Sequence, residues 1–159
     1  RPVSGESGDN QDLTAADVRR TAMNLLARRE HARRELAAKL LARGLPGDLI
    51  DPVMDELARE NLLSDDRFAE AFVSARAGRG QGPVRIRIEL ERKGVDTGIV
   101  ERALADAGVD WDDLAEQVRR KRFGPGRPGS FKERARQARF LQYRGFAAEH
   151  LGGALADED

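Results

Sequence analysis

The sequence contains no cysteine, which excludes disulfide bonds and thiolate metal sites. Aromatic residues make up only 5% of the chain, so a core must consist mainly of Leu, Ile, Val and Ala. Such a core favours small helical bundles over β-sandwiches. No apolar run approaches the roughly 20 residues that a membrane-spanning helix needs, and the first residues lack the apolar core of a secretory signal. We therefore expect a soluble, cytoplasmic, all-α protein.

Histidine is also scarce, and this weakens the case for catalysis. The two histidines, His31 and His150, lie at opposite ends of the chain, and without cysteine the common nucleophile–base pairs are unavailable. The acidic pairs Asp65-Asp66 and Asp112-Asp113 fall at predicted helix starts, where capping explains them. Neighbouring helix positions also point about 100° apart. A hydrolase that uses these pairs is the least favoured function, and we predict no catalytic residue, no metal and no cofactor.

The glycine-rich loop at 78–82 is a possible phosphate-binding loop. No strand pattern precedes it, and its spacing is neither GxGxxG nor GxxxxGK[ST]. We predict a flexible linker between repeats here. An anion at the helix start near Val84 is the weaker alternative.

One local pattern occurs three times, around Gly44, Gly94 and Gly145, which are 50 and 51 residues apart. In each copy a helix-like stretch ends in a basic residue and the glycine, and apolar residues lie at −4, +1, +6 and +10 from that glycine. Glycine can end a helix in the left-handed conformation, and the basic residue faces the negative end of the helix dipole. The pattern predicts three helix–glycine–helix corners and hence structural repeats. Its apolar positions are Leu40, Leu45, Ile50 and Met54; Leu90, Val95, Val100 and Leu104; and Leu141, Phe146, Leu151 and Leu155.

The periodicity predicts nine helices in three tandem three-helix repeats that form an elongated, curved molecule. We place the repeats at 13–62, 63–109 and 110–159, after a disordered tail at 1–12. The predicted ninth helix runs from Ala147 to about Ala156. Helix starts are predicted at Thr14, Ser64, Pro83 and Asp110.

Two helices carry residues that do not fit a simple pattern. Pro52 removes a hydrogen bond from a helix interior, so we expect the third helix to start there, with Asp51 as its cap, rather than to be kinked. Phe131 and Phe140 are nine residues apart and nearly opposite on a helical wheel. One core face cannot easily bury both, so one packs between repeats or is exposed to a partner. Of these, interior packing is favoured.

Charge alternates with the repeat, although the net charge is zero. Basic segments precede each glycine and acidic segments follow it, an arrangement that complements helix dipoles on solvated helices. The same arrangement fits three basic helices aligned in a stripe that faces a polyanion or an acidic protein surface. Both interpretations stay open. The net charges are +6, +4 and +9 over 19–43, 76–93 and 119–144, and −6, −6 and −4 over 44–70, 94–118 and 145–159.

The basic helix before the third glycine is the most informative segment. Lys132, Arg136, Arg139 and Tyr143 fall within about 60° on a helical wheel. Only four of the 28 basic residues are lysine. Arginine suits bidentate contacts to carboxylate or phosphate, so its excess over lysine fits a binding role. A high-GC codon bias gives the same excess of arginine over lysine. The candidate partner- or DNA-binding residues are Arg33, Arg34, Lys39, Arg43, Arg85, Arg87, Arg92, Lys93, Lys132, Arg136, Arg139 and Arg144.

Several motifs after residue 18 are distinctive in their order and spacing. They are Ala27-Arg28-Arg29-Glu30-His31, Asp65-Asp66-Arg67-Phe68-Ala69, Gly82-Pro83, Lys121-Arg122-Phe123-Gly124, and the segment from Lys132 to Leu141 followed by Arg144-Gly145-Phe146. Together these motifs resemble those of the RecX family of recombination regulators. One departure is Ala32, where the family often has a serine able to cap the second helix.

The resemblance implies a protein of three three-helix units without chemistry of its own. Members of the family bind the RecA recombinase, particularly its filament on single-stranded DNA, and restrain its recombinase, ATPase and co-protease activities. We therefore expect a monomeric regulator of homologous recombination and the SOS response, with weak direct DNA contact. The alternative is a stand-alone helix-turn-helix-like DNA-binding protein. It predicts sequence preference and a steep salt dependence on duplex DNA, which the zero net charge argues against.

Overall fold

A computed structural model of the chain describes residues 12–153 and 155; apart from Asp12, the predicted tail lies outside this part. The described residues form eight α-helices and one 3-10 turn, with no strand, so the all-α prediction is confirmed. Within the same residues, no helix has both the length and the apolar character needed to cross a bilayer. The helices are α1 (Ala15–Arg28), α2 (Arg33–Ala42), α3 (Gly47–Arg59), α4 (Asp65–Gly78), α5 (Pro83–Arg92), α6 (Thr97–Asp106), α7 (Trp111–Phe123) and α8 (Phe131–Tyr143).

The chain divides into two compact units, unit 1 up to Phe68 and unit 2 from Ala69. In unit 1, helices α1, α2 and α3 pack on one another around an aliphatic core. In unit 2, α5 packs on α6, and α7 packs on α8 and on the 3-10 turn. The limits of the three repeats stay a prediction. The buried residues of the α7–α8 core are Ala115, Val118, Leu141, Phe146 and Leu151.

All three predicted corners are present. Gly44, Gly94 and Gly145 have positive φ angles of 83°, 82° and 99°. At each corner the amide of the next residue donates to a carbonyl five residues back, at 3.2, 3.2 and 3.0 Å, as in a Schellman motif. Eleven of the twelve apolar positions are buried and the last, Leu155, is half-buried. The pattern was therefore a correct prediction of where helices end and which side chains enter the core.

The predicted helix starts are also confirmed. Thr14 forms a capping box with Asp17. The Ser64 hydroxyl accepts from the Arg67 amide at 3.2 Å, and an Asp110 carboxylate oxygen accepts from the Asp113 amide at 3.0 Å. Pro83 is the first residue of α5. Each cap satisfies an amide that has no partner within its own helix.

Pro52 does not start a helix, contrary to our expectation. Helix α3 begins at Gly47, so Pro52 lies inside it. The earlier start keeps Ile50 in the helix and buries it, with only 5% of its surface exposed. The amide that proline lacks would have bonded to the Asp48 carbonyl, and Asp48 is exposed, where water can replace that bond.

The ninth α-helix is a second correction. After Gly145 the described chain forms only a 3-10 turn, Ala148–His150, in which the His150 Nδ1 atom accepts from the Ala147 amide at 3.1 Å. Gly152 and Gly153 follow, and two successive glycines disfavour a helix. The end of the predicted helix, at 154 and 156, lies outside the described residues.

Of the two phenylalanines of α8, one is exposed and the other is half-buried. Phe131, at the start of α8, is 79% exposed, contrary to the interior packing we favoured. Phe140 is half-buried against the α7–α8 core and meets the edge of Phe123, with 5.3 Å between ring centroids. An aromatic pair of this geometry stabilises beyond its buried area.

Helix α2 has an N-terminal cap from outside its own sequence. Ala32, at the cap position, has no side-chain acceptor and is fully buried. A carboxylate oxygen of Asp65, the first residue of α4, accepts from the Arg33 amide at 2.8 Å instead. Asp65 therefore replaces the serine that the second helix lacks.

Replacing Asp65 with alanine should lower the free energy of unfolding of unit 1 by about 1 kcal/mol, because the Arg33 amide loses its acceptor. Adding Ala32→Ser to that variant should recover part of the loss, since a serine hydroxyl can accept from an amide in the first turn. Urea titration followed by far-UV circular dichroism measures both changes. An unchanged midpoint in Asp65→Ala would rule out this cap.

Candidate interaction surface

The outer face of α8 carries the side chains that the sequence grouped together. Lys132, Arg136, Arg139 and Tyr143 are all exposed, which confirms the predicted face. The opposite side of the helix is anchored by Leu141, which is fully buried. Its start is capped by Ser130, whose hydroxyl accepts from the Glu133 amide at 3.1 Å. The basic face is thus held on a fixed helix.

Arg136 is the one cation of this face with an acidic partner among the described residues. It lies 2.9 Å from Glu133 and stacks over Phe123, with 5.2 Å from the guanidinium carbon to the ring centroid. Hydrogen bonds from Gln137 and Arg136 lower the pKa of Glu133. Arg136 is therefore less available to a partner than Lys132 or Arg139.

Unit 2 also contains a cavity of about 570 Å³ between the end of α4, helix α7 and helix α8, which we call the basic pocket. Four cations line it, and none of the described residues around it is acidic. Two aromatic rings, Phe140 and Tyr143, complete its wall. The cations are Arg79, Lys121, Arg122 and Arg144.

Two of these cations contact the ring of Phe140. The guanidinium carbons of Arg122 and Arg144 lie 5.5 and 5.7 Å from its ring centroid, within cation–π range. The Nε atom of Arg144 is buried, and no described residue accepts its hydrogen. Like charges are therefore concentrated here without an acidic counterpart, which makes the pocket strongly electropositive.

A second, smaller cavity of about 310 Å³ lies on α5 and also has Tyr143 in its wall. Arg85 and Arg92 contribute to it, together with Ile88, which is 43% exposed. The Arg85 guanidinium carbon lies 5.7 Å from the Tyr143 ring centroid. Tyr143 thus separates two basic cavities on the surface of unit 2.

The loop at 78–82 is a hydrogen-bonded junction and not the flexible linker that we predicted. The Gly82 amide donates to the Arg144 carbonyl at 2.8 Å, and the Val84 amide donates to the Gly145 carbonyl at 2.9 Å. Gln81 is 9% exposed. Because the Val84 amide is already bonded, it cannot hold the anion considered for this helix start.

The junction requires glycine on both sides. A Cβ atom on Gly82 would lie 2.6 Å from the Phe146 nitrogen, and one on Gly145 would lie 2.9 Å from the Arg85 nitrogen. Both distances are shorter than real Cβ contacts allow. The repeat glycine Gly145 therefore ends α8 and also docks on the start of α5.

Several of the twelve candidate cations have partners inside the protein. Arg33 pairs with Asp55 at 2.7 Å, and Arg85 pairs with Glu89 at 3.2 Å. Arg87 pairs with Glu101; this bond raises the pKa of the arginine and lowers that of the glutamate. Lys93 lies 6.0 Å from the Phe72 ring centroid, while Arg136 and Arg144 make the contacts already described.

Lys39 is bound to a buried histidine. The Nε2 atom of His31 accepts from the Lys39 ammonium at 3.0 Å, and its Nδ1–H donates to the Arg29 carbonyl at 3.0 Å. Burial lowers the pKa of His31, so the ring stays neutral and can accept this bond. Lys39 therefore has an internal role in unit 1.

The remaining five candidates are exposed and have no acidic partner among the described residues. Two lie in unit 1, and three lie in unit 2. They are Arg34, Arg43, Arg92, Lys132 and Arg139.

Three cations of the basic pocket were missed in the sequence. Lys121 and Arg122 belong to a motif that resembles the family, but nothing local marks them as a site. Arg79 lies in the loop that we interpreted as a linker. Only the packing of that loop beside α7 and α8 brings them together.

No group of three or more His, Cys, Asp or Glu side chains in the described part of the chain could hold a metal ion. Two of the acids considered for catalysis make contacts that a structural role explains. Asp65 caps α2, and the Asp113 carboxylate accepts from the Gln117 amide nitrogen at 2.7 Å, one turn further along α7.

Comparison with known proteins assigns the family. The models for the first, second and third three-helix domains of RecX match residues 19–57, 64–104 and 110–151. Regulatory protein RecX of Halorhodospira halophila is 53% identical over 144 residues, with 89% of each chain covered. That of Pseudomonas entomophila is 48% identical over 146 residues, with 92% of this chain and 94% of the relative covered.

Solved structures show the same fold. The crystal structure of RecX from Lactobacillus salivarius matches with a TM-score of 0.73 at 22% identity, covering 88% of this chain and 93% of that one. A second crystal structure, of a regulatory protein RecX, matches with a TM-score of 0.70 at 19% identity and covers 90% and 74% of the two chains. With three domain matches in order and close relatives over most of its length, the chain belongs to the RecX family of regulatory proteins.

Proposed function

We propose that this chain binds the RecA recombinase, chiefly its filament on single-stranded DNA, and inhibits the recombinase, ATPase and co-protease activities of RecA. Membership of the RecX family is the observation that carries the proposal. A monomer in the cytoplasm, acting in recombination and the SOS response without chemistry of its own, is part of the same proposal.

The five exposed, unpartnered cations are the proposed contacts to the filament. An exposed cation without an internal ion pair gives up no such pair when it meets a carboxylate or phosphate. Because both units carry such residues, one chain can make several linked contacts with a filament of repeating subunits. Linked contacts raise the overall affinity when the geometry permits them, even if each is weak.

The variant Lys132→Glu/Arg139→Glu should raise the concentration needed for half-inhibition of RecA about tenfold or more. Each reversal replaces an attraction with a repulsion on the exposed face of α8. Adding Arg136→Glu should weaken inhibition further, although it also breaks the pair with Glu133. The measurement is the ATPase rate of RecA on single-stranded DNA over a range of concentrations of this protein.

The matched control is Arg28→Glu/Arg59→Glu, which makes the same change in net charge at two exposed cations in unit 1. We expect the control to inhibit within about threefold of the natural chain. Circular dichroism should show unchanged helix content in both variants. If both variants weakened inhibition equally, the effect would be one of net charge, and the assignment of the α8 face would be wrong.

Binding of naked DNA is the rival function, and it needs its own measurement. The unpartnered cations and the basic pocket favour some contact with a polyanion. A stand-alone DNA-binding protein would bind duplex DNA without RecA, with sequence preference and an affinity that falls steeply with salt. Strong duplex binding together with no effect on RecA would favour that function over the one proposed.

A further inference from the structure

We infer that the basic pocket of unit 2 binds a free nucleoside polyphosphate. The pocket is bounded by three elements: the end of α4 with the residues after it, α7, and α8. Its volume of about 570 Å³ lies within the roughly 300–1,000 Å³ range of small-molecule sites. This inference is independent of the proposed function, because it concerns the purified chain alone.

The charge of the pocket indicates the phosphate part of the ligand. Arg79, Lys121, Arg122 and Arg144 meet around one concavity, and none has an acidic partner among the described residues. Four cations around one concavity repel one another, and an anion that enters lowers this repulsion. Arginine forks and a lysine ammonium are the side chains that hold phosphate oxygens.

The rings of the pocket indicate the base. Tyr143 is 75% exposed although it lines the cavity, and Arg85 lies over its ring at 5.7 Å from the centroid, so a flat group can stack on the remaining ring surface. Phe140 is already contacted by Arg122, Arg144 and Phe123 and is less available. Stacking on one aromatic ring with phosphate groups near four cations is a nucleotide-binding arrangement.

A bounded cavity favours a free nucleotide over a strand. A site for a single strand follows the backbone along an extended positive groove. In the neighbouring cavity across Tyr143, Arg85 is paired with Glu89, so Arg92 is the one lining cation there without an acidic partner among the described residues, and the next phosphate of a strand would meet little positive charge. The site therefore fits one nucleotide that carries its charge at one end.

Isothermal titration calorimetry of the full chain with ATP tests the inference. We expect saturable binding, with weaker binding of inorganic triphosphate and none of adenosine. Lys121→Gln/Arg122→Gln should weaken ATP binding about tenfold or more, since two of four phosphate contacts are lost. Tyr143→Ala should weaken ATP binding and leave triphosphate binding unchanged.

The control Arg120→Gln/Arg139→Gln removes the same charge from exposed cations that do not line the pocket, and it should leave ATP binding unchanged. Equal weakening by the control, or no saturable binding of ATP, would overturn the inference. Tighter binding of a short oligothymidylate than of ATP, with the same sensitivity to Lys121→Gln/Arg122→Gln, would also overturn it and assign the pocket to a strand.

Discussion

Gly145→Ala should destabilise unit 2 by about 4 kcal/mol. About 1–2 kcal/mol comes from a Cβ atom in the left-handed conformation at a φ of 99°. A further 1–3 kcal/mol, roughly, comes from the clash with the Arg85 backbone, since this contact cannot open without backbone movement. Moving the chain apart also breaks the bonds that the Gly82 and Val84 amides donate to the Arg144 and Gly145 carbonyls.

Gly108→Ala is the matched control within unit 2. Gly108 follows α6 with a φ of 68°, and a Cβ atom there would meet no atom within 4 Å. Gly44, which ends α2 in the same motif as Gly145, is a second control, because a Cβ atom at that position would also meet no atom within 4 Å. We expect each control to cost about 1 kcal/mol, the backbone strain alone.

The single tryptophan gives a direct readout. Trp111 packs against the α7–α8 core, so its fluorescence during urea titration reports on unit 2. Gly145→Ala should lower the midpoint far more than Gly108→Ala does. Equal shifts in the two variants would show that the docking of Gly145 on α5 contributes nothing to stability.

Arg119→Ala should destabilise unit 2 by about 3 kcal/mol. The Arg119 side chain has no exposed surface, and it donates two hydrogen bonds to the Glu116 carboxylate, at 2.9 and 3.0 Å. It also donates to the Gly126 carbonyl at 3.0 Å, which ties the loop after α7 to that helix. Removing this buried arginine leaves a cavity and takes a donor from the Gly126 carbonyl and from Glu116, whose side chain is 25% exposed.

Arg120→Ala, one position along the chain, is the control, because Arg120 is exposed and should cost no more than about 0.5 kcal/mol. A second readout is acid sensitivity. The bond from Arg119 lowers the pKa of Glu116 in the folded state, so this pair stabilises at neutral pH and its contribution is lost as pH falls through that lowered pKa. Arg119→Ala should lose this part of the acid dependence, as measured by Trp111 fluorescence between neutral and acidic pH. A stable variant with unchanged acid sensitivity would contradict the role assigned to Arg119.

The corners were predictable because the signal for each lies within fifteen residues. A basic residue, a glycine and four apolar positions determine a Schellman ending and the burial that follows it. The caps at Thr14, Ser64 and Asp110 are equally local. The cap of α2 was not predictable, because Asp65 lies 32 residues from the amide it caps, and only the fold brings the two together.

The candidate site was predictable only in part. The exposed face of α8 follows from helical periodicity. Arg119, by contrast, lies in a segment of net charge +9, and its sequence position alone predicts a solvated side chain. Only the structure shows that it donates to Glu116 and to the Gly126 carbonyl. The basic pocket joins Arg79 to Arg144, which are far apart in sequence, so no spacing rule could find it.

The Gly82 and Val84 amides donate to carbonyls at the end of α8. These hydrogen bonds limit how a protein of three-helix repeats can gain or lose a whole repeat. A chain shortened before α8 would leave the first amides of α5 without their acceptors and would uncover the closely packed glycine pair. The second repeat thus depends on the third to complete its own first turn. Duplication or deletion of a module during evolution would be tolerated poorly at this position, because two segments synthesised more than 60 residues apart must change together.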